Sequence, residues 1–130
     1  MATKPPPGKV LIVDDHTDGR ETLSDLLDLY GFEVLCASDG QEALDVLHRG
    51  ERPCLILVDL VMPKLDGWGF RQKQQERHDW SEIPVVAMTG RTSAVSTPHK
   101  VEFDGYLLKP INLPDLLEVL NEHCSIPAFS

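Results

Sequence analysis

Four apolar runs in this sequence stop abruptly on residues that can do chemistry. Val10-Leu11-Ile12-Val13 stops at Asp14-Asp15, and Leu55-Ile56-Leu57-Val58 stops at Asp59. Ile83-Pro84-Val85-Val86-Ala87-Met88 stops at Thr89, and Tyr106-Leu107-Leu108 stops at Lys109. If these runs are strands of one parallel sheet, three carboxylates, a hydroxyl and an ammonium meet at the edge where such sheets bind ligands. Crowded carboxylates repel and raise one another's pKa, so a cation has to offset them. Lys109 supplies one positive charge. A bound Mg²⁺ supplies two more and keeps room for phosphate oxygens. A carboxylate between a metal and a fixed ammonium is suited to attack a phosphoryl group and become an aspartyl phosphate. Asp59, alone at the end of a central strand, fits that nucleophile. Asp14-Asp15 reads as a metal clasp, and the Thr89 hydroxyl as a donor to a phosphoryl oxygen. Each of these residues has an ordinary structural role when taken singly, as a turn former, a cap or a helix-dipole partner. Their joint placement at four strand ends is what argues for a site.

The elements that must position them follow from the patterning. The strand candidates are continuous apolar runs, the signature of strands buried on both faces of a parallel sheet. Phe32–Ala37 is a further strand and ends blandly, which suits an outer position. Leu23, Leu26, Leu27 and Tyr30 mark one helix face, with Thr17 or Asp18 as N-cap and Gly31 just past the C-terminus. Ser38 and Gln41 have capping-box spacing before a helix carrying Ala43, Leu44 and Leu47. Leu60–Gly67 is a loop, followed by a helix through Trp68 and Phe70 to about Asp79. Asn112 caps a last helix, with Pro114 in its first turn and Leu113, Leu116, Leu117 and Leu120 as its buried stripe. Strand–helix alternation with short connections predicts an α/β domain on a parallel sheet of order 2-1-3-4-5. A Pro-rich leader (1–8) and a tail (125–130) flank the domain (9–124).

Composition excludes several classes. The 130 residues suit one domain. With 12 Lys and Arg against 21 Asp and Glu, the formal charge is −9, which disfavours sequence-independent nucleic-acid binding. At 42% hydrophobic and 25% charged, the chain reads as globular rather than disordered. No apolar run approaches a membrane span, and the N-terminus has no signal-peptide stretch, so a cytoplasmic location is expected. Cys36, Cys54 and Cys124 are far apart and odd in number. They predict neither a zinc site nor a disulfide and read as small apolar residues near the core. His48, His78, His99 and His123 sit in polar contexts and read as solvated.

Four motifs in order carry a family resemblance: Val10–Asp15 (VLIVDD), Leu57–Gly67 (LVDLVMPKLDG), Val86–Thr89 (VAMT) and Gly105–Pro110 (GYLLKP). Over residues 8 to 124 the sequence resembles the receiver domain of two-component response regulators. The resemblance implies a (βα)₅ flavodoxin-like three-layer sandwich that takes a phosphoryl group from a histidine kinase or phosphotransfer protein. It implies that Asp59 is the phosphoacceptor and that Mg²⁺ is held by Asp15, Asp14, Asp59 and the backbone carbonyl of Val61. Thr89 matches the switch hydroxyl, Tyr106 the aromatic switch and Lys109 the ammonium on the phosphoryl oxygens. The Lys109–Pro110 bond is expected to be cis. Val61 and Arg91 occupy variable flanking positions and are expected to tune the lifetime of the phosphorylated state. His16 falls at a variable position, within reach of the metal site but expected to be solvated.

One segment departs from the family. Gly90–Asp104 is a little short, has few apolar residues and contains Pro98, so the fourth helix is expected to be short or irregular. A phosphorylation-driven switch, not an enzyme, is the first reading, with no membrane partner and no nucleic acid bound in cis. As a sequence on its own it reads as a single-domain regulator. The alternatives are a receiver excised from a hybrid kinase and a pseudo-receiver that only binds a partner. A haloacid-dehalogenase-type hydrolase is disfavoured because the sequences are Asp14-Asp15-His16 and Asp59-Leu60-Val61, not Asp-x-Asp. A flavodoxin is disfavoured because no Ser/Thr/Gly-rich phosphate loop follows the first strand.

Overall fold

The computed structural model describes residues 8–90 and 102–124. Its elements are β1 (Lys9–Val13), α1 (Thr17–Leu29), β2 (Glu33–Ala37), α2 (Gly40–His48), β3 (Leu55–Asp59), α3 (Gly67–Glu76), β4 (Val85–Thr89), β5 (Gly105–Leu108) and α4 (Leu113–His123). The five strands form one parallel sheet of order β2-β1-β3-β4-β5. The order reverses between β1 and β3, so this pair frames the crevice where ligands bind in such sheets.

Side chains alternate across a strand, and both faces of these strands are covered. Val10 and Ile12 join Leu23, Leu27, Leu57, Met88, Leu116 and Leu120 under α1 and α4. Leu11 and Val13 join Leu44, Leu47, Ile56, Val58 and Phe70 under α2 and α3. Strands β3 and β4 are buried along their whole length, which is why they read as unbroken apolar runs. The polar residues that end them are therefore held by a rigid frame.

The element ends correct several expectations. Helix α1 has His16, not Thr17 or Asp18, at its N-cap, and the His16 side chain makes no capping bond. Helix α2 is capped by Asp39, whose side chain accepts from the Glu42 N–H at 2.8 Å, with Ser38 Oγ donating to Glu42 Oε2. The box is thus built one residue later than the Ser38–Gln41 spacing suggested. Strand β4 starts at Val85 because Pro84 has no N–H for the ladder. Helix α3 ends at Glu76, where Arg77 turns extended and sets its guanidinium over the Trp80 ring. Leu116 and Leu120 are buried on α4, but Leu113, at its first turn, is exposed. Gly31, with φ at 86°, ends α1 as expected, and Asn112 caps α4.

Two expectations about cysteine and histidine are overturned. Cys54 and Cys124 form a disulfide, their Cα atoms 5.6 Å apart across a sequence separation of 70. Cys54 precedes β3, and α4 runs back along the sheet to end beside it, a closeness that sequence spacing does not encode. Cys36 is the free, exposed thiol. His123 is largely buried rather than solvated, with Nε2 3.7 Å from Glu122, whereas His48 is exposed as expected while packing edge-on against Trp80. His78 is exposed, and His99 lies outside the described residues. So does most of the segment expected to hold a short fourth helix, residues 91–101.

Helix α3 hides a feature its polar sequence did not announce. Arg71 and Gln74 are buried. Gln74 donates to the carbonyls of Trp80 and Ile83, and Arg71 donates to the Glu102 carbonyl and pairs with Asp104. Asp104 in turn accepts from the Val85 N–H. The network satisfies the backbone at the entry to β4.

Candidate functional site

The parallel register brings the strand ends together. Val13 of β1 pairs with Val58 of β3, so Asp14 and Asp59 follow as neighbours. Asp59 pairs with Met88 of β4, and Thr89 pairs with Leu108 of β5. Lys109 stands one residue past β5, its N–H donating to the Thr89 carbonyl at 2.8 Å. From there its Nζ reaches both Asp14 Oδ2 and Asp59 Oδ2 at 3.0 Å. The Lys109–Pro110 peptide is cis, as expected.

The carboxylates are not in ordinary water. Asp14 is 1% exposed and Asp59 7%. Burial pushes the Asp14 carboxyl up, but the His16 N–H and the Lys109 ammonium hold it below its usual range. Burial also pushes Asp59 up. Lys109 pulls it back, the neighbouring Asp14 charge opposes that pull, and the carboxyl stays above its usual range. Burial lowers the Lys109 ammonium, yet its bonds to Asp59 and Asp14 win and raise it. It is therefore a fixed positive charge at neutral pH.

Asp15 turns outward beside this pair and is half-buried, but its Oδ1 is shielded from solvent and accepts no hydrogen bond. One donor atom from each of Asp14, Asp15, His16 and Asp59 lies within 4.8 Å of the others. Three carboxylates here face one ammonium, a deficit of two positive charges. That deficit, the orphaned Asp15 oxygen and the oxygen-rich donor set fit a divalent cation.

Of the remaining expected residues, Thr89 is buried at the end of β4, one position beyond the register partner of Asp59. Val61 is 71% exposed, two residues past Asp59, and its N–H points to Asp59 Oδ1 at 3.4 Å. Tyr106, in the middle of β5, is 42% exposed and packs edge-on against Phe103. Arg91 lies outside the described residues. The structure thus brings Asp14, Asp15, Asp59 and Lys109 into one cluster, with Thr89 and Val61 at its rim and Tyr106 on the outer strand.

Four residues that support the site were not assigned to it from the sequence. His16, expected to be solvated, keeps its side chain 72% exposed yet places Nδ1 3.3 Å from both Asp14 Oδ1 and Asp15 Oδ1. Its position directly after the acid pair was the available signal. Arg20, one turn into α1, donates to the Asp14 carbonyl at 2.6 Å and fixes the acid pair from behind. Gly67 starts α3 so close to β3 that a Cβ there would lie 2.7 Å from the Asp59 carbonyl oxygen. Asp66, by capping α3 through the Gly69 N–H, holds the same loop.

Comparison with known proteins identifies the family and the fold. Residues 10–121 match the response regulator receiver domain family. The chain is 39% identical over 110 residues to the "Probable transcriptional regulator ycf27" of Guillardia theta, covering 83% of this chain and 42% of that protein. It therefore spans less than half the length of that relative. Among solved structures, the chemotaxis protein CheY4 of Vibrio cholerae matches with a TM-score of 0.78 and 32% identity, over 90% of this chain and 98% of that one. The signal receiver domain of a histidine kinase from Syntrophus aciditrophicus matches with a TM-score of 0.80 and 27% identity, over 88% of each chain.

Proposed function

Because this chain belongs to the response regulator receiver domain family of two-component systems, we propose that it accepts a phosphoryl group on Asp59 from a histidine kinase or phosphotransfer protein and changes its protein contacts as a result. The observation that carries this reading is the Lys109 ammonium bridging Asp14 and Asp59 at 3.0 Å each, across separations of 95 and 50 residues. A frame that spends a buried lysine on two buried carboxylates, and still leaves a third beside them, is arranged around incoming charge.

Asp59 attacks the phosphorus of a phosphohistidine. The bond from imidazole nitrogen to phosphorus breaks as the bond from Asp59 oxygen to phosphorus forms, and the leaving imidazole recovers the electron pair. Lys109 then shares its ammonium with a phosphoryl oxygen, a charge-assisted bond that strengthens in this water-poor setting. The Thr89 hydroxyl donates to another phosphoryl oxygen. Tyr106, on the neighbouring strand, follows it inward and carries the change to the outer face of β5. Asp14, Asp15, Asp59 and the Val61 carbonyl would hold Mg²⁺, which when bound neutralises the charge gathering on the phosphoryl oxygens. Val61 presents an apolar side chain to the solvent side of Asp59, so it offers no hydrogen bond to an attacking water. With Arg91 it sets how long the phosphoryl group stays. The chain acts as acceptor and switch rather than as a catalyst with turnover of its own, and works in the cytoplasm, where such donors phosphorylate it.

The test is incubation with acetyl phosphate and Mg²⁺, read by intact mass. Wild type gains one phosphoryl group and Asp59→Asn gains none. Equal labelling of the two, or no labelling of wild type, would overturn the assignment.

A further inference from the structure

We propose that His16 supplies a nitrogen ligand to the cation site, so that the site favours first-row transition cations, Mn²⁺ least and the later ones most, over Mg²⁺. The proposal rests on the reading that Asp14, Asp15 and Asp59 hold a cation. It adds a donor that this reading does not use.

The distances are those of shared coordination. Ligands about 2.1 Å from one octahedral cation stand about 3.0 Å apart when adjacent and about 4.2 Å when opposite. His16 Nδ1 lies 3.3 Å from Asp14 Oδ1, 3.3 Å from Asp15 Oδ1 and 4.0 Å from Asp59 Oδ2. These separations would let His16 Nδ1 share one cation with the acid pair and Asp59.

The ring is held there by its own backbone. The His16 N–H donates to Asp14 Oδ1 at 2.9 Å, and the His16 carbonyl accepts from the Arg20 N–H as α1 begins. The ring's hydrogen-bond contact, Nδ1 to Asp14 Oδ1 at 3.3 Å, is to a carboxylate of the same cluster. The side chain stands at the N-cap of α1 but makes no capping bond, and among the described residues its charged neighbours are the three carboxylates. A histidine at a position that ordinarily favours Ser, Thr, Asp or Asn forgoes the cap. Cation binding is the use this geometry gives it.

The chemistry then separates cations. Mg²⁺ prefers oxygen and retains its waters. An imidazole nitrogen adds little for it, but it adds affinity for Mn²⁺ and the later divalent metals, in the order of their preference for nitrogen donors.

The experiment loads the untagged full chain with Mn²⁺ and records pulsed electron paramagnetic resonance. Wild type is expected to show ¹⁴N coupling that His16→Ala loses. Mn²⁺ affinity is expected to fall about tenfold or more in that variant, as loss of a ligand should cost at least what loss of an outer partner does. Mg²⁺ affinity is expected to change less than about twofold. No ¹⁴N coupling in wild type, coupling that survives in His16→Ala, or parallel losses of Mn²⁺ and Mg²⁺ would each overturn the proposal while leaving the carboxylate site standing. Failure of wild type to bind Mn²⁺, or binding unchanged in Asp15→Ala, would overturn the underlying cation site as well.

Discussion

At the carboxyl edge of the sheet, Asp14 and Asp59 lie buried against a single shared ammonium. At the amino edge the charges stay nearer water, where Lys9 pairs with Glu51 and Glu33, and the closure is covalent, Cys54 to Cys124. The same five strands end in both places. One edge keeps like charges together at a cost in stability, because a ligand needs them. The other has no such task and is built to hold. A functional edge can stay strained electrostatically when the opposite edge and the apolar layers between them carry the fold.

Cutting the amino edge should give the largest change in stability. Cys124→Ser opens a loop of 70 residues' separation, and loop entropy puts the loss at about 4 kcal/mol of unfolding free energy. Guanidinium titration measures it, and acetyl phosphate labelling of Asp59 should be unaffected. A labelling defect as large as the stability loss would show the two edges to be coupled.

Lys109→Ala attacks the other edge. It leaves two buried carboxylates with no fixed cation between them, at a cost of about 3 kcal/mol in metal-free buffer. Adding millimolar Mg²⁺ should recover much of it, whereas no cation should rescue Cys124→Ser. Thermal melts with and without Mg²⁺ decide this, and a loss indifferent to Mg²⁺ would count against the charge-deficit account.

Gly67→Ala is next. Its Cβ would meet backbone atoms of Asp59 and Leu60 at 2.7 and 2.9 Å, so α3 must shift, costing about 2 kcal/mol. Phosphoryl uptake should slow with it, because the displaced backbone carries the nucleophile. Urea midpoints and labelling rates read the two effects side by side.

The smallest expected change is a gain. Asp59→Asn removes a carboxylate held above its usual range by burial and by Asp14. Such a group contributes stability in acid and loses it as pH rises through its raised value. Asp14, held below its usual range by the His16 N–H and Lys109, contributes above that range and fades as pH falls. The variant keeps the second contribution and loses the first. Its advantage over wild type should therefore grow as pH rises above the ordinary carboxylate range. Urea midpoints across that range check it, and a variant less stable than wild type at pH 7 would contradict the sign.

This comparison also marks what the sequence could convey. Strands such as Leu55–Asp59 were legible because burial on both faces leaves no polar residue until the strand meets its edge. The site was legible for the same reason, since Asp14, Asp59, Thr89 and Lys109 punctuate those runs. The cap of α2 was misplaced by one residue, because Ser38 and Asp39 are both competent caps, and that of α1 by one or two, because the helix starts at Thr17 behind His16, which makes no side-chain cap. His16 was hidden because a ring mostly in water gives no apolar signal. Arg71 and Gln74 were hidden because a buried polar network looks, in sequence, like a solvated face. The disulfide was hidden because only the direction of α4 across the sheet brings Cys124 to Cys54.

The Cys54–Cys124 link also divides duties along the strands. It lies at the foot of β3, where an added Cβ at Gly8 would sit 3.3 Å from Cys54 Sγ, some four strand steps from Asp59, about 13 Å. A bulky group that approaches Asp59 from the carboxyl edge does not meet the link.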